Sequence, residues 1–145
     1  MQPKTTEQLR HEIKAATDIR DFIKNNKKDL VLPLLTEYLN QLLSDKGLSK
    51  ADVVRGSQLS RAYVYQIFSG EKSPSRDKVI ALAFGLGLSE DEAQTLLKIS
   101  GNMGLYARKR RDAVILFALQ RGKPIDEVNN LLFEQRLGLL GVPEE

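Results

Sequence analysis

Residues 57–77, SQLSRAYVYQIFSGEKSPSRD, decide how the chain is read. Leu59, Val64, Ile67 and Phe68 recur at the spacing of one buried helix side, while Arg61, Ala62, Tyr65, Gln66 and Ser69 fall on one outward stripe. Ser60 is placed to cap this helix, and Leu59 with Val64 has the spacing of a hydrophobic staple. Gly70 to Pro74 reads as a turn, after which Ser75 can cap the next helix. A core gains nothing from outward aromatics beside an arginine. Arg, Tyr and Gln carry hydrogen-bonding heads on long or flat stems, which suit base edges and the phosphates that flank a groove. Arg61 lies in the first turn, the part of a reading helix that enters a major groove, and Ala62 permits close approach or contact with a thymine methyl.

Working outward, every strong periodicity is helical. Residues 5–25 carry Leu9, Ile13, Ala16, Ile19, Phe22 and Ile23 at spacings of mainly three and four, predicting one N-terminal helix before the polar break at 25–29. A helix over 31–46 follows, with Pro33 in its first turn, a stripe of Leu35, Leu39, Leu42 and Leu43, and Gly47 as a left-handed stop. Ser49 and Asp52 form a capping-box pattern that opens a helix over 50–56, with Gly56 as its expected end. Further helices are expected at 76–86, 90–100, 105–121 and about 124–137. No strand pattern competes, so the fold class is all-α. The expected organisation is an N-terminal helical extension at 1–29, a domain at 30–101 and a C-terminal helical hairpin at 102–145.

The chain repeats itself at an offset of 35 residues. Residues 76–97 and 111–132 align without gaps and share ten identities in 22 positions, including Arg76/Arg111, Asp77/Asp112 and the turn glycines Gly87/Gly122. Two similar helical hairpins in series are expected. Two such units are too few for a free-standing helical array.

Composition narrows the chemistry. With no cysteine and only His11 among histidines, the chain lacks disulfides, thiolate zinc sites and any Ser–His or Cys–His nucleophile. The acidic residues are scattered, so no metal, no cofactor and no enzymatic activity is expected. No apolar run approaches the roughly 18–20 residues of a membrane span, and the N-terminus lacks a signal-peptide pattern, which makes a cytoplasmic protein the expectation. A net charge of +3 leans mildly toward acidic partners. Arg108, Lys109, Arg110 and Arg111 form an unbroken basic run at an expected helix start, where the macrodipole disfavours cations. It is either a solvated face or a surface for DNA phosphate or an acidic partner.

The stretch from Leu48 to Leu97 resembles the helix-turn-helix domain of the phage-repressor and Cro family, often called the XRE family. The likeness rests on the leucine opening, Ala51 within the first motif helix, the Val64/Ile67 pair, the Ser69–Gly70 close, the Pro74 turn and the ALAFGLGLS ending. It covers about residues 30–99, with the leucine-striped helix at 31–46 as the leading helix of a five-helix domain. The resemblance implies a transcriptional regulator that binds double-stranded operator DNA as a homodimer through a recognition helix at about 60–69. Carried over position by position, it places Arg61, Ala62, Tyr65 and Gln66 on bases. Lys50, Ser60, Tyr63, Ser69, Lys72 and Ser73 would then meet the DNA backbone. Arg76 is a weaker candidate, because the repeat makes it a hairpin residue. The turn departs from the family pattern of an apolar residue followed by glycine: this chain has Ser57 and Gln58, with Gly56 two residues early. That implies a differently shaped turn or an earlier helix end. A second expectation keeps the fold in an adaptor or antitoxin-like protein that binds a partner protein through 102–141.

Overall fold

A computed structural model of the chain describes residues 4–27, 29–30 and 34–141. Those residues form nine α-helices and no strand. In chain order they are α1 (Thr6–Ala15), α2 (Ile19–Asn25), α3 (Leu35–Lys46), α4 (Lys50–Ser57), α5 (Arg61–Ser69), α6 (Arg76–Gly85), α7 (Glu90–Ile99), α8 (Arg110–Gln120) and α9 (Ile125–Glu134). The chain divides into two compact units, one preceding Leu34 and one from Leu34 onward.

In the first unit the single N-terminal helix expected from periodicity is two helices. Ala16 is extended, and Asp18 opens α2 by accepting from the Arg20 backbone N–H at 2.9 Å while its carboxylate also holds the Arg20 guanidinium. An N-cap of this kind is worth about 1 kcal/mol, enough to favour a restart over one continuous helix. Of the apolar positions only Phe22 is buried; Ile13, Ile19 and Ile23 are about half exposed. Lys4 joins the two ends of the unit through Glu12 at 2.7 Å and Asn26 at 2.6 Å.

In the second unit α6 is the central helix. Its residues 78–84 are all buried, whereas an amphipathic surface helix buries one face. The α4 helix packs on it most extensively, and α7 and α9 cover other sides. The core runs without interruption from Leu39, Val53, Val64 and Ile67 through Ile80 and Leu96 to Ile115, Val128, Leu132 and Leu140. Leu35 is the first residue of α3, so the part of the expected 31–46 helix that includes Pro33 lies outside the described residues.

Gly56 does not end its helix. It lies inside α4, and a Cβ built there would meet the Gly85 Cα at 2.9 Å and the Gly85 carbonyl oxygen at 3.2 Å. At Gly85 a Cβ would meet the Val53 carbonyl oxygen at 2.8 Å. The two glycines therefore set how closely α4 and α6 cross. The left-handed position that stops α4 is taken by Gln58, at φ 59°. Ser57 beneath it is fully buried, and its hydroxyl accepts from the Leu59 N–H at 3.2 Å, so the turn is built without the family's glycine.

The 35-residue repeat extends further in three dimensions than in identities. Gly87 and Gly122 are both left-handed, and the N–H groups of Leu88 and Lys123 close Schellman bonds onto Ala83 and Ala118 at 2.9 and 3.0 Å. Gly101 and Arg136, unlike in sequence, hold the same left-handed place, with Asn102 and Leu137 donating to Leu97 and Leu132 at 2.9 and 2.8 Å. After each hairpin a short strap returns along the second helix. The Gln94 amide exchanges two hydrogen bonds with the Leu105 backbone at 2.7 and 2.9 Å, and Asn129 does the same with Leu140 at 2.8 and 2.9 Å. The left-handed Arg136 stops α9 at Glu134 where periodicity expects 137, and the first strap starts α8 at Arg110 where it expects 105. Side-chain amides occupy the backbone groups that a helix would need there.

The two hairpins exchange partners. Arg76 donates to the buried Asp112 at 2.9 and 3.3 Å, and Arg111 donates to Asp77 at 2.7 and 3.1 Å. Each arginine also reaches the strap of its own hairpin. Arg76 donates to the carbonyls of Met103 and Gly104, both at 2.9 Å, and Arg111 to those of Gly138 and Leu139 at 3.0 and 3.4 Å. With α6 packed on α9 and α7 on α8, the two hairpins meet about a local pseudo-two-fold axis.

Candidate nucleic-acid interface

Helix α5 is fixed from below and open above. Val64 and Ile67 are fully buried and Phe68 nearly so, with Leu59 anchoring the entry. Ser60 caps the helix by accepting from the Tyr63 N–H at 3.1 Å, and Gly70, left-handed at φ 88°, ends it. On the outward side Arg61, Ala62 and Ser69 are exposed, Tyr65 is 40% exposed and Gln66 is half-buried. The stripe read from the sequence thus lies on one surface, with Gln66 recessed.

Two clusters of cations on aromatic rings flank this helix. The Tyr65 ring has the Lys50 ammonium 5.2 Å and the Arg61 guanidinium 5.6 Å from its centre, so it joins the start of α4 to the start of α5. The Tyr63 ring has Lys72 at 5.7 Å and Lys78 at 5.6 Å. Such contacts contribute roughly 0.5–1 kcal/mol each at exposed sites, and they hold long side chains in place. Tyr63 is half-buried and packs against the core, so its ring serves as a support with cations above it. Lys78 has no role in the sequence reading. Its place within the all-apolar α6 run, facing the aromatic of α5, is the signal that marks it.

Of the acidic groups close to this surface, Glu71 is exposed in the loop after α5, and Asp52 is engaged locally. Asp52 accepts from the Ser49 backbone N–H and hydroxyl at 2.9 and 3.0 Å and pairs with Arg55, and these bonds hold its carboxyl below the ordinary value. Lys50 therefore keeps its charge uncompensated by its own helix cap. Ser69 donates its hydroxyl to the Gln66 carbonyl at 3.1 Å, while Lys72 and Ser73 are exposed in the loop after α5. Arg76 is turned away from this surface into its bonds with Asp112 and the strap. Arg111 is likewise spent on Asp77, which leaves Arg108, Lys109 and Arg110 as the exposed part of the basic run.

No group of His, Asp and Glu among the described residues could hold a metal ion. No helix of the described residues is long and apolar enough to cross a membrane. No curated protein and no solved structure matches the chain. A family model described as a helix-turn-helix domain matches residues 34–96, which span α3 to most of α7 and contain the whole surface just described. Residues 34–96 of this chain thus carry a helix-turn-helix domain.

Proposed function

We propose that the protein is a sequence-specific transcriptional regulator that binds operator DNA as a homodimer, with α5 as the recognition helix. One observation carries this reading: α5 presents Arg61, Ala62, Tyr65 and Gln66 together on the side opposite its buried Val64 and Ile67. Arg61 and Tyr65, with Gln66, would meet base edges, and Ala62 would allow close approach. Lys50, Ser60, Tyr63, Ser69, Lys72 and Ser73 would meet the DNA backbone. Ser60 and Ser69 do so with hydroxyls already turned toward their own helix, so their contribution is smaller than that of the lysines. A single helix reads few base pairs, and pairing two copies on half-sites about 34–36 Å apart would supply the missing specificity. The work is done where the genome lies, which we take to be the cytoplasm, and no enzymatic step belongs to it.

Selection of bound duplexes from a random library tests the proposal, followed by titrations of Arg61→Ala and Tyr65→Ala. A palindromic motif is expected, with each variant losing about 1–3 kcal/mol of specific affinity, roughly 5- to 150-fold. Unchanged specific affinity in both variants would overturn the assignment of α5.

A second reading is supported by apolar surface within residues 102–141. Phe133 is 74% exposed, Met103 69% and Phe117 40%. Residues 102–141 would then bind a partner protein, as in an adaptor or antitoxin-like protein. Partners retained after nuclease treatment, together with no selected motif, would favour it.

A further inference from the structure

We propose that Arg108, Lys109 and Arg110 form a second phosphate-binding surface that grips the same duplex beside the recognition helix. The inference rests on the DNA-binding reading of α5 and extends the interface beyond the helix-turn-helix domain, onto the second hairpin.

The basic run divides sharply in the structure. Arg111 is tied to Asp77 at 2.7 Å, but Arg108, Lys109 and Arg110 are exposed, and their side chains enter no ion pair or hydrogen bond among the described residues. The fold gains nothing from them, because cations at the start of α8 oppose its dipole. Their placement is nevertheless fixed at both ends. On one side the Tyr106 N–H donates to Asp112 at 2.9 Å, and on the other Arg111 holds Asp77. Asp112 in turn holds Arg76, the first residue of α6. The short segment 107–110 is thus pinned beside the N-terminal end of α6. The loop of residues 70–75, with Lys72 and Ser73, runs straight into that same end. The loop proposed to meet DNA backbone after α5 and the three unpaired cations therefore lie at the same end of α6.

Duplex DNA is the partner that this arrangement suits. Its phosphates carry one charge per about 1.7 Å of axis, so a rim of cations next to a groove-reading helix meets charge wherever the backbone passes. Such contacts add affinity and position, with no base preference.

The test compares full-length protein with a variant carrying R108Q, K109Q and R110Q, both titrated against the selected duplex across a salt series. A control carrying K46Q, R121Q and K123Q removes the same charge at the opposite end of α6 and α8, about 15 Å away along α8. The 108–110 variant is expected to show a salt slope shallower by about 2–3, with the selected motif unchanged, and the control a change of less than about 1. A variant with Arg108→Lys and Arg110→Lys is expected to keep the wild-type slope. Equal slopes in wild type and the 108–110 variant would overturn the inference while leaving α5 as the reading helix. Equal changes in the variant and the control would also overturn it, since net charge alone would then account for the effect. If wild type binds no duplex, the DNA-binding reading fails and this inference falls with it. Loss of an acidic protein partner in the 108–110 variant, with the duplex slope kept, would reassign the run to protein docking.

Discussion

Replacing Gly56 with alanine tests whether the crossing of α4 and α6 sets the geometry of the domain. Helix propensity alone favours alanine over glycine by about 0.8–1 kcal/mol inside a helix, so a change of this type is ordinarily stabilising. Here the new Cβ would lie 2.9 Å from the Gly85 Cα and 3.2 Å from the Gly85 carbonyl oxygen. Both are backbone atoms, which cannot rotate away as the end of a side chain can. Ordinary contact begins near 3.4 Å, so the two helices must separate by about half an ångström. Overpacking of this kind costs about 1–3 kcal/mol. The net expectation is a loss of about 0–2 kcal/mol, seen as a fall in Tm of up to roughly 8 °C for a chain of this size. Urea and thermal unfolding read this directly. Gly85→Ala should behave similarly, with its Cβ 2.8 Å from the Val53 carbonyl oxygen. The double variant should lose less than the sum of the two, because the helices move apart only once. A Gly56→Ala protein more stable than wild type by the propensity difference would refute the argument.

Removal of either acidic partner in the reciprocal exchange should have unequal effects. Asp112→Ala takes a buried carboxylate from Arg76 and from the Tyr106 N–H and should cost about 3–5 kcal/mol in urea unfolding. Asp77 is half exposed, and Asp77→Ala should stay within about 1 kcal/mol; similar losses in both would contradict the role of burial. For pH, the Ser89 backbone N–H holds the Glu92 carboxyl below the ordinary value of 4.5, with Lys46 adding to the effect. A depressed folded pKa adds stability at higher pH that is lost as the pH falls through the folded value. Thermal melts should therefore drop below pH 4.5 in wild type and drop less steeply in Glu92→Gln; parallel curves would show that this cap does not contribute.

The sequence made the reading helix legible because its two faces differ in chemistry as well as in polarity. Val64 and Ile67 announce the buried side, and Ser60 with Leu59 marks the entry. The Ser49–Asp52 pair was equally plain and forms a closed box, whereas Ser75, expected to cap α6, precedes it without a side-chain cap bond. Gly56 was not legible in the same way. Glycine marks a helix stop and a close helix crossing with the same letter, and only the partner glycine 29 residues on distinguishes them. The Arg–Asp dipeptides were visible as repeated positions, but identity at an offset says nothing of who binds whom. The break between α1 and α2 was hidden because the 3.6-residue stripe continues across it, while Asp18 decides the local contest through one cap.

The local two-fold axis between the hairpins has a consequence for how they can diverge. Contacts across the axis constrain both copies at once, and there the two sequences still agree, at Arg76/Arg111 and Asp77/Asp112. The α4 crossing constrains one copy alone. Gly85 must stay small beneath α4, but its counterpart Gln120 faces water and reaches out to Glu90 at 2.8 Å. Leu82 is fully buried, and its counterpart Phe117 is open to solvent. The first half of the pairing is thus held in place by the helix that supports the reading surface. The other half is a tethered twin whose outer face is at liberty to acquire a task of its own.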